Sequence, residues 1–157
     1  MSDRALREHV AALLGWEDAH AGVRLAVEGV PRNQWTARAA GLPHSLWQLL
    51  EHIRLAQHDI LDFCRNPDYI QPNWPDDYWP GDADVASAKA VAASLAAYLA
   101  DLKALTELAG DPGVDLFGRI PHGTGQTYLR ELFLVADHTS YHVGQMVDVR
   151  RALGIWG

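Results

Sequence analysis

Two histidines stand four residues apart in the segment Asp137-His138-Thr139-Ser140-Tyr141-His142. On a helix that spacing places both imidazoles on one face, a turn apart. It is how a single helix offers two nitrogen ligands to one metal ion. Phe133, Ala136, Val143 and Met146 flank the pair, so this face is expected to point inward. A buried imidazole is costly unless its nitrogens find partners, and a metal ion supplies one. A hydrogen-bonded pair of core histidines is the alternative. A zinc-peptidase motif would need Glu directly after the first histidine. Thr139 stands there, so that chemistry is not supported.

A third ligand has to come from another helix. His52, in Leu49-Leu50-Glu51-His52-Ile53, lies at the edge of an apolar face. Three neutral imidazoles with open positions describe a catalytic type of metal site, because structural sites close their shell with protein ligands. Imidazoles suit zinc, nickel, copper or iron, with zinc and nickel first, and discourage magnesium and calcium. Glu51 is a candidate outer partner of His52. Asp59, two turns further on, is expected outside the ligand set. His20, three residues after Glu17, is the candidate proton-transfer group; a core histidine bonded to a carboxylate is the alternative. His9, His44, His58 and His122 read as surface, cap or loop residues. Cys64, the only cysteine, reads as a small buried apolar residue rather than a nucleophile.

Four helical segments must position these residues. The first spans about Asp3 to Gly29, with Leu6, Val10, Leu13, Trp16, His20, Val23 and Val27 on one face; Pro31 stops it. The second starts at Ser45, whose partner Gln48 completes a capping-box pattern, and ends near Arg65 before Asn66-Pro67. The third runs from about Asp84 to Ala109 and is rich in Ala and Leu, which are strong helix formers. The fourth starts near Thr127, with Leu129, Leu132, Phe133, Ala136, Val143, Met146 and Val147 as its apolar face. Arg150, Arg151 and Gly154 mark its end. No segment alternates with a period of two. The expected fold is an all-α four-helix bundle. The stretch from Asn66 to Asp82 carries four prolines, two tryptophans and two tyrosines. It reads as a long crossover between helices two and three, pinned by its aromatics and letting both helices point the same way; a substrate lid is the rival reading.

With 157 residues, the chain is expected to form a single domain over 1–157. Its formal charge of −7 argues against nucleic acid or an anionic membrane as a partner. One cysteine excludes an internal disulfide framework. The opening MSDRALREHV lacks the apolar core of a signal peptide, so a cytoplasmic location is expected.

Three segments, Ser45-Leu46-Trp47-Gln48-Leu49-Leu50-Glu51-His52-Ile53, His138-Thr139-Ser140-Tyr141-His142-Val143-Gly144-Gln145-Met146 and Arg150-Arg151-Ala152-Leu153-Gly154, resemble the DinB-like damage-inducible superfamily, which is distinct from the translesion polymerases of the same name. The resemblance implies a bundle in up-down-down-up order that holds one divalent metal through His52, His138 and His142. It also implies a homodimer. Gly144 would let a neighbouring helix approach closely. Some such proteins are thiol S-transferases or isomerases that use a low-molecular-weight thiol. The expected function is therefore a metal-dependent enzyme, such as a thiol S-transferase acting on small electrophiles. A metal-dependent hydrolase and a non-catalytic metal- or small-molecule-binding bundle are the alternatives.

Overall fold

The computed structural model describes residues 3–81 and 86–157. It is all-α: α1 (Asp3–Leu14), α2 (Val23–Val27), α3 (Leu46–Arg65), α4 (Ala88–Gly110) and α5 (Tyr128–Ala152). Two single turns of 3-10 helix lie at Arg32–Gln34 and Asp76–Tyr78. Among the described residues there is no strand, only an isolated bridge between Arg119 and Thr127.

The cap residues explain where the long helices begin. Ser45 accepts from the Gln48 amide while the Gln48 side chain accepts from the Ser45 amide, a reciprocal capping box. Such a cap contributes about 1 kcal/mol. Ser87 starts α4 and Thr127 starts α5 in the same one-sided manner. The expected start of the third helix at Asp84, and the end of the crossover at Asp82, lie outside the described residues.

The first expected helix is two. The chain leaves helical geometry after Leu14 and resumes it only at Val23. Gly15 and Gly22 bracket the break, and glycine is a poor helix interior residue. The Glu17 side chain fills the space that a Cβ at Gly22 would need. Trp16, expected on the inward stripe, is instead 55% exposed, and its indole N–H donates to Asp18. Phe133 is also turned outward, because the inward arc of α5 passes through Leu132, Val135, Ala136, Val143 and Met146. No neighbour stands within 4 Å of where a Gly144 side chain would begin, so the expected close helix approach does not occur there.

The core has two contiguous clusters. One joins α2, the first half of α3 and the C-terminal half of α5, through Ala26, Leu46, Leu49, Leu50, Ile53, Val143 and Met146. The other joins α1, the second half of α3, the end of α4 and the start of α5, through Val10, Leu61, Leu105, Leu116 and Leu132. Each Leu or Ile so buried contributes about 1.5–3 kcal/mol of transfer free energy. Between α3 and α4, bonds run from Gln57 to the Tyr98 carbonyl, from His58 to Asp101 and from Arg65 to the Ala104 carbonyl. The bonded positions rise together along both helices. Arg150, expected as an ordinary helix-end charge, is buried; its guanidinium donates to the carbonyls of Leu25, Ala26 and Ile155. It thereby ties α2 and the C-terminal segment to α5.

Candidate metal centre

His52 lies two turns into α3 and is 1% exposed. His138 and His142 project from the middle of α5 toward it, His138 half-buried and His142 buried. Ligand-capable atoms of these three side chains all lie within 4.8 Å of one another. The Nε2 atoms of His52 and His138 are 3.1 Å apart. Two nitrogens bound tetrahedrally to one zinc at about 2.0–2.1 Å would stand roughly 3.3 Å apart. The spacing therefore suits a shared ion.

The hydrogen bonds decide which nitrogens face that common point. His52 Nδ1 lies 2.7 Å from the Tyr78 carbonyl. A carbonyl only accepts, so Nδ1 carries the proton, and neutral His52 keeps its Nε2 lone pair free. His142 Nδ1 lies 2.7 Å from Gln145 Oε1, while Gln145 Nε2 donates to the Tyr141 hydroxyl at 3.2 Å. His142 is oriented in the same sense. Bonds of this kind fix the tautomer and direction of metal-ligating histidines.

Charge at the site points the same way. Burial pushes the imidazole pKa values of His52 and His138 down to about 4, against the ordinary 6.5. The Tyr78 carbonyl opposes this at His52, while His142 adds to it at both rings. His142 is lowered too, again chiefly by burial. Near neutral pH all three rings are uncharged, the form that binds metal. This donor set fits a divalent transition metal.

Aromatic residues of the crossover close over the cluster. Trp79 stacks on His52, and Trp74 packs edge-on against Tyr78 at 5.1 Å. Tyr78 is buried, and its hydroxyl donates to Asp59. Tyr141, 64% exposed, flanks His142 from α5.

His20 does not join this cluster. It is exposed in the loop between α1 and α2, with Nδ1 on the Ala21 carbonyl. It borders a separate cavity of about 130 Å³, shared with Tyr98, Thr139 and Ser140. Since the helix breaks, Glu17 and His20 do not form a helical pair. Glu51 turns to Arg54 at 2.6 Å instead of to His52. His9, His58 and His122 are exposed, as expected. His44 is a loop residue, as expected, and also stacks on Trp79 at 4.1 Å. Cys64 is buried, and its thiol is pushed up to about 12, first by burial and then by Glu131; it is not poised as a nucleophile. Tyr78, Trp79 and Asp59 are the residues that sequence reasoning did not assign to the site. The aromatic richness of the crossover signalled the first two; Asp59 lies on α3 and, as expected, outside the ligand set.

No helix among the described residues is long and apolar enough to cross a membrane. Neither a curated protein nor a solved structure matches the chain. A family model described as the DinB superfamily matches residues 16–146, a span that takes in all three histidines. With most of its length matched, the chain belongs to the DinB superfamily.

Proposed function

We propose that this protein is a divalent-metal-dependent enzyme in which His52, His138 and His142 hold one ion and leave coordination positions for a reactant. The observation that carries the reading is the convergence of three uncharged imidazoles within 4.8 Å, with two of their outer nitrogens already committed to acceptors. Zinc or nickel suits this donor set best, and iron is compatible with it. When bound, such an ion holds a thiol as thiolate, or a water as hydroxide, near neutral pH.

The described side chains around the cluster offer hydrolysis no proton-transfer group, and transfer from a thiol is placed ahead of it. Among the described residues, the cluster contains no carboxylate, and His20 lies in another cavity. Hydrolysis would therefore rest on the metal-held hydroxide alone, with no adjacent side chain to relay protons. The reaction class we propose is S-transfer from a low-molecular-weight thiol to a small electrophile. Trp79 shields one side of His52, and Tyr141 stands at the open rim. The proposal includes a four-helix bundle in up-down-down-up order, an arrangement that accords with the α3–α4 bonds rising together, and a homodimer in the cytoplasm.

Elemental analysis of the purified protein beside His52→Ala, His138→Ala and His142→Ala tests the ligand assignment. One ion per chain is expected in the wild type and less than a tenth of that in each variant. Full metal content in any variant removes that residue from the set. Thiol conjugation across a panel of electrophiles then tests the reaction. A metal-loaded protein that accelerates none of them is a binding module, and one that hydrolyses them without thiol is a hydrolase.

A further inference from the structure

Asp59 sits on α3 seven residues after His52. That is two turns, or about 10 Å, along the same helical face. Each of its carboxylate oxygens receives a phenol: Tyr69 donates to Oδ1 at 2.7 Å and Tyr78 to Oδ2 at 2.8 Å. Both tyrosines belong to the crossover. Tyr78 spans the gap, with its hydroxyl on Asp59 and its backbone carbonyl on His52 Nδ1 at 2.7 Å. The next residue, Trp79, stacks on the same imidazole.

We infer that Asp59 is a positioning residue for the metal centre: by clamping the Tyr69 and Tyr78 hydroxyls it seats the Tyr78 carbonyl against His52 Nδ1 and so keeps His52 Nε2 free for an ion. The inference rests on the metal-binding reading above and adds a residue that touches no ligand.

The clamp supplies the side-chain hydrogen bonds of this part of the crossover, beside the stacking of Trp79 on His52 and His44 and the edge contact of Tyr69 with Phe63. Ile70 and Trp74 are 85% and 66% exposed, and Asn73 bonds only locally to Asp77. The proximity of the Asp59 carboxylate, after burial, holds both phenols above their ordinary range, Tyr78 at about 12. Both therefore remain hydrogen-bond donors throughout the neutral range. If the Tyr78 carbonyl withdraws, nothing forces the His52 proton onto Nδ1, and the Nε2–H tautomer competes with metal binding.

The test uses the full chain with zinc as the probe. Competition with a chromophoric chelator at pH 7 measures zinc affinity for wild type, Asp59→Ala, Tyr78→Phe and the double variant. Imidazole nitrogen NMR of the metal-free proteins reads the His52 tautomer. Removing a residue that orients a ligating histidine typically weakens metal binding about 10–100-fold, so each single variant should lose about tenfold. The double variant should lose no more than the worse single one, because both substitutions break the same linkage. His52 should pass from Nδ1–H in the wild type to a mixture in the variants. If Asp59→Ala does not fold, Tyr78→Phe carries the test alone, because it keeps the carboxylate and Tyr69. Unchanged affinity and tautomer, with a lowered melting temperature alone, would make Asp59 merely structural and overturn the inference. Wild-type protein that binds no zinc would defeat the metal reading instead, and the tautomer measurement would still decide the role of Asp59.

Discussion

The indole of Trp79 lies flat on the imidazole of His52, with ring centres 3.9 Å apart and planes 4° from parallel. The same indole also stacks on His44. One crossover residue thus packs a loop histidine and a candidate metal ligand together.

Trp79→Ala removes both stacks. Aromatic pairs contribute about 0.5–1.5 kcal/mol each beyond the area they bury. A stability loss of about 2–3 kcal/mol is expected from urea unfolding, and Trp79→Phe should restore part of it. An unchanged unfolding midpoint in Trp79→Ala would mean that the stacks do not hold the crossover in place.

Acid should weaken the metal-free protein. His52 and His138 ionise at about 4 when folded and near 6.5 when unfolded. Between these values the unfolded chain binds more protons than the folded one, so stability falls as pH falls. The contribution is complete above about pH 6.5 and is lost progressively toward pH 4. Urea midpoints at pH 7.5, 6.0 and 5.0 should descend in that order. The descent should be shallower in the His52→Ala/His138→Ala double variant. A wild-type profile parallel to that of the double variant would remove these two rings as its source.

Arg150 should be irreplaceable by lysine. Its planar guanidinium reaches the carbonyls of Leu25 and Ala26 with one nitrogen and that of Ile155 with the other two, a geometry a single ammonium cannot reproduce. Arg150→Lys and Arg150→Met are both expected to cost about 2–4 kcal/mol, because buried carbonyls lose charged donors. Hydrogen exchange should show α2 opening first. If Arg150→Lys matches wild type in both measurements, the guanidinium fork is not what ties α2 down.

The residues alone determined much of this protein, wherever the information is local. The i, i+4 spacing of His138 and His142 needs only helical geometry, and the caps at Ser45 and Thr127 act within three residues of themselves. Periodicity carried less where it met competing chemistry. The apolar stripe ran on through Trp16 and His20, yet the chain leaves helical geometry there, between Gly15 and Gly22. Tertiary structure decided which nitrogen of His52 is free. The deciding atom is a backbone carbonyl at Tyr78, 26 residues away. Every residue carries such a carbonyl, so no side-chain type announces it. Only the path of the crossover, held at Asp59, brings that one into contact.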